Sequence, residues 1–425
     1  MALANRGSNS PTRRRARPAL ALTAWAVACA APAETRESPR PADTTDPSPP
    51  APVPSTPTDP SETLPPHDTA PAPCLAPVGV ETGLDTDGVA LGATLSLGAY
   101  GATATLPEVT AATTPLGGTL VFSDSPESVP AVGTLYEDLL PAGTHRIYLY
   151  HVNASAAGLR FTAVLAGAGA AATATVLAEA RSGPSVDWVY VGKKGAERYV
   201  DARVTPPAPR VVAVPADGAV LLDPALDALT ADPGELLHAV YDLSLDAPAQ
   251  VRLLALAPGQ DATAPPPPPL ARDTHDRGTF ADADRLRAVP CYDTAGGTVR
   301  LRLASGTADD PWVTGVDALT GAAEDLVGNY GVWYTVQIPL ASTDGRQVAA
   351  LLAPRGGPAA GAVWTAAGLQ PEGRVTWPSD ADAVAPDGSA ALLGRWDPAA
   401  TPVLTLRFSP AGSTFLPLDL VLIPE

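Results

Sequence analysis

Side chains able to bind a metal are densest in Asp273-Thr274-His275-Asp276-Arg277-Gly278, followed by Asp282 and Asp284. Counted from Asp273, Gly278 and Asp284 fall where a calcium loop has its glycine and its last ligand. Two intermediate ligand positions, however, are His275 and Arg277, where oxygen donors are required. A cation there works against a bound cation. Asp273, Asp276, Asp282 and Asp284 are therefore weak metal candidates, and an ordered loop with aspartates as turn caps is the competing reading. The histidines His67, His145, His151, His238 and His275 form no H-x-H or H-E-x-x-H pair, and no metal site is expected. No G-x-S-x-G elbow, phosphate-binding loop or dinucleotide fingerprint occurs, so no cofactor is expected. Two carboxylates suffice for a glycosidase. A hydrolase stays open as the alternative, with its catalytic residues unassigned.

The aromatic residues point to binding. Trp312, Trp333, Trp364, Trp377 and Trp396 all fall in the C-terminal half. Trp333 and Trp364 lie inside apolar runs and read as core. Trp312 follows a proline, Trp377 precedes one, and Trp396 precedes Asp397-Pro398, so these three sit near loops. An indole face is a platform for the C–H face of a sugar. Trp312, Trp377 and Trp396 are thus candidates for glycan stacking, with plain packing as the other reading.

Three cysteines define where this chemistry takes place. Arg13-Arg14-Arg15 and Arg17 precede an uncharged run over 18–28, the basic and apolar parts of a secretory signal. About 11 to 14 apolar residues are too few to cross a bilayer, which needs roughly 20. Ala26-Val27-Ala28-Cys29 resembles a bacterial lipobox, with Ala26 where leucine is usual, which implies a lipidated Cys29 and a membrane as partner. Simple secretion after signal cleavage is the alternative location. Cys74 and Cys291 then remain as a pair in an oxidising compartment, bridged or as separate thiols. Between 31 and 73 there are 14 prolines among Thr, Ser, Ala and Asp. Such a segment has little to bury and reads as a disordered, semi-extended tether.

Composition limits the partners. The formal net charge is −18, and loss of the five arginines in 1–28 would make it −23. So acidic a chain repels nucleic acid and anionic headgroups, and no nucleic-acid binding is expected. With 45% hydrophobic residues, the part after the tether can bury a large core.

The elements that must position these side chains read as strands. Short apolar runs alternate with Gly, Pro, Asp and Ser, starting with strands at 89–97 and 99–106. The clearest strand, 144–152, places Ile147, Leu149 and His151 on one face and Tyr148, Tyr150 and Val152 on the other. Two apolar faces mark a central strand of a sandwich. One short helix is expected over 185–203, weakened by Gly192 and Gly195. Pro265 to Pro269 mark the best internal boundary. The expectation is an all-β protein: signal peptide 1–28, tether 29–73, a β-sandwich-like domain 74–257, a linker 258–272 and a second β-sandwich-like domain 273–425. Ala154-Ser155 and Gly158 recur at an offset of 187 as Ala341-Ser342 and Gly345, through duplication or through chance in an alanine-rich chain.

Phe122 to Glu127, Tyr150 to Asn153, Arg277 to Phe280, Asn329 to Val332 and Pro354 to Gly357 resemble segments of uncharacterised secreted bacterial proteins. Some of those are joined to stalk modules like the N-terminal part of copper amine oxidases. The resemblance implies export and no particular activity. Together these features read as an exported, lipid-anchored, non-catalytic component of a bacterial envelope that is structural, adhesive or ligand-binding. A secreted polysaccharide hydrolase is the alternative.

Overall fold

The computed structural model describes Cys74, residues 79–386 and residues 388–425. The leader, Cys29 and the tether lie outside the described residues. The fold is all-β, as expected, with α1 its only long helix among the described residues. A short β1 (Thr94–Ser96) comes first. One set of elements follows: β2 (Ala112–Ser123), β3 (Ser128–Val129), β4 (Gly133–Leu140), β5 (Gly143–Asn153), β6 (Arg160–Gly167), β7 (Ala172–Ser185), α1 (Trp188–Val204), β8 (Arg210–Val214), β9 (Ala219–Leu221), the single turn α2 (Pro224–Asp227), β10 (Leu236–Leu245) and β11 (Ala249–Leu256). A second set runs β12 (Arg277–Ala288), β13 (Tyr292–Asp293), β14 (Val299–Leu303), β15 (Thr314–Asp317), β16 (Ala322–Asp325), β17 (Trp333–Ala341), β18 (Val348–Pro354), β19 (Gly361–Thr365), β20 (Gly373–Trp377), β21 (Ser389–Trp396), β22 (Val403–Phe408) and β23 (Leu418–Pro424).

The strand order is a palindrome. One long sheet runs β20-β19-β22-β17-β12-β2-β5-β10-β7-β8, and its halves meet where β12 pairs antiparallel with β2. Under the first half lies β4-β11-β6-β9; under the second lies β14-β23-β18-β21, extended by β1. β2 runs parallel to β5 and β12 parallel to β17, while β10 and β22 pair antiparallel with β5 and β17. Each strand of the first sandwich thus has a counterpart in the second, and the echo at an offset of 187 marks a repeated topology.

Packing follows from the period of two along each strand. Ile147 and Leu149 of β5, with Ala239 and Tyr241 of β10, bury against Phe161, Val251 and Leu253 of the four-stranded sheet. Tyr334, Val336 and Ile338 of β17, with Leu406 and Phe408 of β22, bury against Leu301, Leu352 and Leu420 of the other. β18 is apolar on both faces because Ala349, Leu351 and Ala353 point away from that core and bury under Leu97 and Leu106. Residues 89–106 therefore cover a sheet instead of forming the two strands expected there. Only β1 pairs, with β21, and 3-10 turns fill 98–100 and 103–105. The proline run lies along β4, where Thr134 donates to Pro268 and Pro267 carbonyls and bridges Pro269. Prolines there shield an edge strand from further pairing.

Helix α1 begins at Asp187, whose carboxylate accepts from Tyr190 N at 2.9 Å, and stops before Pro206-Pro207. It touches β7 and β10 on one side and β19, β20 and β22 on the other, so the long sheet curls around it. Its glycines serve close approach. A Cβ at Gly195 would come within 2.3 Å of the His238 ring, and one at Gly192 within 2.2 Å of Ser413 Oγ. No helix among the described residues is long and apolar enough to cross a membrane.

Candidate functional site

Of the three loop tryptophans, only Trp312 is available to a ligand. It is half-buried and lines a cavity of about 600 Å³, together with Thr113 and Pro115 from β2, Asp282 and Arg285 from β12, and Asp309. Trp377 is 3% exposed and faces the core of the second sandwich beside Gly361. Trp396 is wholly buried against Gly368 and Gly394. Neither offers a ring face, so Trp377 and Trp396 are withdrawn as stacking residues. A following proline marks the end of a strand, which is compatible with complete burial.

The loop bearing Trp312 is held from below by buried polar groups. Asn329 accepts from Val313 N at 2.9 Å and donates to Pro311 O at 3.1 Å, clasping Trp312 between them. It does so from a left-handed backbone position (φ 51°), which asparagine tolerates better than most residues. Arg285 donates to Pro311 O at 2.8 Å and to Asp310 Oδ1 at 2.9 Å. The fully buried Arg287 donates to Thr113 Oγ1 at 2.7 Å and to the Asp309 carbonyl. The indole lies on Gly306, where a Cβ would approach Cε2 to 2.3 Å. Burial tends to raise the Asp309 pKa, but the Thr307 hydroxyl and Arg287 guanidinium keep it below the usual carboxylate value. The result is a wall held by buried polar groups that carries one indole and one ionised carboxylate, with Asp282 a second carboxylate lining the same cavity.

The four metal candidates do not share a centre. Asp273 accepts from Ser125 Oγ at 3.0 Å and Glu127 N at 2.9 Å, and it pairs with His275, which also meets Glu127 at 2.9 Å. Those bonds to Asp273 and Glu127 outweigh burial and raise the His275 pKa to about 11. Asp276 accepts from Val327 N, and burial raises its pKa to about 6. Asp282 sits at a bulge in β12 with φ 60°. Asp284 binds Arg146 and Arg203 at 2.6 Å each. Among the described residues no group of three or more His, Cys, Asp or Glu could hold a metal ion. Asp273 caps its own turn through His275 N, Asp276 ties this loop to the distant Val327 N, and Asp284 is an ion-pair partner.

A serine–histidine pair was not anticipated. Ser123 Oγ lies 3.0 Å from His151 Nε2, and His151 Nδ1 lies 2.9 Å from Pro126 O. Both side chains are completely buried, and burial lowers the His151 pKa to about 4. No substrate can reach this oxygen, so the pair fastens the loop after β2 to β5. Cys74 and Cys291 form a disulfide with Cα atoms 5.2 Å apart.

Sequence reasoning placed Trp364 in the core. It is half-buried, on the face of the long sheet away from the five-stranded sheet, beneath the Arg407 guanidinium at 4.8 Å. The residues around Trp312 were also missed, because Thr113, Arg285 and Asp309 come from three distant segments without a shared motif. No protein-family model and no curated protein matches this chain.

Proposed function

We propose that this chain is an exported protein of a bacterial envelope that binds a glycan without transforming it, held at a membrane by a lipidated Cys29 and a proline-rich tether. The observation that carries the reading is the cavity of about 600 Å³ with a half-buried indole on its wall. A sugar can pack its C–H face on Trp312 while Asp282 and Asp309 accept from its hydroxyls. The Cys74–Cys291 disulfide supports an oxidising compartment.

Replacing Trp312 with alanine should weaken glycan retention about tenfold or more while the fold persists, since the side chain stabilises no core. Glycan-array screening followed by calorimetric titration of the full chain measures this, with a reducing-end assay alongside. Release of reducing ends, lost in Asp282→Asn or Asp309→Asn, would establish the hydrolase instead. The anchor has its own test. Labelled palmitate should enter the wild-type protein in a bacterial host and be absent from Cys29→Ala; an unlabelled wild type rules the anchor out.

A further inference from the structure

We propose that the outer side of β19 and β22, beside the C-terminal end of α1, is a separate site for a carboxylate-bearing sugar of an acidic polysaccharide, gripped by Arg407 on its Trp364 platform. Two arginine–tryptophan stacks lie side by side on this face. Arg203 covers Trp333 at 4.9 Å and Arg407 covers Trp364 at 4.8 Å. The register sets the side chains on one side of the sheet, since Arg407 stands opposite both Thr335 of β17 and Trp364 of β19.

The first stack is an internal control for the second. Arg203 spends its fork on Asp242 and Asp284, at 2.6 Å each. Arg407 has no hydrogen bond and no ion pair among the described residues. Its charged surroundings are Arg203, of like sign, and Glu372; burial and Arg203 both lower its pKa. A half-buried guanidinium carries five donors in a fixed fork that matches a carboxylate. Stacking on Trp364 holds the fork in place before any ligand arrives.

The repeated topology sets a polar surface here where the first sandwich has a largely apolar one. Tyr148, Tyr150, His238 and Val240 of the first sandwich correspond to Thr335, Gln337, Thr405 and Arg407 of the second. The first four lie on the side that α1 covers. In the second sandwich the chain passes from β19 to β20 through a short turn, and those four positions are polar. The partly exposed Gln337 amide and Thr405 hydroxyl, on strands about 4.8 Å apart, suit the hydroxyls of an extended sugar chain, while Thr335 is buried.

The site shares no residue with the Trp312 cavity and does not rest on it. The test is titration of the full chain with oligogalacturonate, with the neutral galactose oligomer and acetate as comparisons. Oligogalacturonate should bind with an affinity that falls as salt rises, and neither comparison should compete. Arg407→Gln should weaken binding about tenfold or more, and Arg407→Lys, which keeps the charge but lacks the fork, should recover only part. Trp312→Ala should leave it unchanged, and melting curves confirm that each variant is folded. The proposal fails if oligogalacturonate does not bind, if Arg407→Gln binds it normally, if the neutral oligomer or acetate binds equally well, or if Trp312→Ala abolishes it.

Discussion

Replacing Asp242 with alanine is expected to lower the unfolding free energy by about 3–5 kcal/mol, the cost of stranding buried charge. Asp242 of β10 accepts from Arg146 Nε at 2.7 Å, Arg203 Nη1 at 2.6 Å and the Tyr199 hydroxyl at 3.0 Å. Arg146 is 2% exposed and also donates to Ala283 O at 2.7 Å and Gly331 O at 3.0 Å. One carboxylate therefore balances an arginine from β5 and one from α1, and Arg146 ties the first sandwich to the second. Without Asp242, Asp284 alone faces both guanidinium groups. The pH dependence has a definite sign. Burial works to raise the Asp242 pKa, but Arg146 and Arg203 prevail and bring it to about 2 from 3.8. A depressed folded-state pKa contributes stability above the unfolded value, and that contribution is lost as pH falls from about 4 through about 2. Denaturant unfolding between pH 7 and pH 2 should show this acid loss in the wild type and a shallower one in Asp242→Ala. A difference below about 1 kcal/mol at neutral pH would place the network among weak surface pairs.

That network and the one beneath Trp312 explain which strand the sequence hid. β5 is legible because its two apolar faces alternate cleanly. β12 was read as a loop, yet it is the seam of the molecule. Its inward positions include Arg277, Arg285 and Arg287, exposed by 2%, 4% and 0%, while Leu286 points outward. Apolar periodicity is inverted there, and only paired acids such as Asp317 and Asp310 make the burial possible. The repeat was hidden for another reason. Tyr148 and Thr335 lie 187 apart, but Val240 and Arg407, which face them, lie 167 apart. The shortfall arises where the first sandwich carries α1 and the second only a turn, so no single offset aligns both halves. Trp312 could be named from its loop, but its neighbours could not, since β2, β12 and the following loop converge only through long-range pairing.

Removing the Cys74–Cys291 bridge should have the other large effect. The cysteines are 217 residues apart, and closing so long a loop restricts the unfolded chain by about 5 kcal/mol in the chain-entropy description. What the bridge holds in the native state decides how the loss appears. Just beyond Cys74, Val80 exchanges backbone bonds with Thr298, and Arg346 binds Glu81 at 2.9 Å. Residues 80–106 then cover Leu351, Leu392 and Val421 on the outer side of the five-stranded sheet. This cover forms few strand pairs, so it is the part that opens first when its end is released. The double variant Cys74→Ser/Cys291→Ser, which leaves no new free thiol at either position, should melt about 7 °C below the wild type. Protease should then cut first within 80–106 and leave the long sheet intact. A melting point within about 2 °C of the wild type, with 80–106 still resistant, would mean that Leu97, Leu106 and the Glu81–Arg346 pair hold the cover without the bridge.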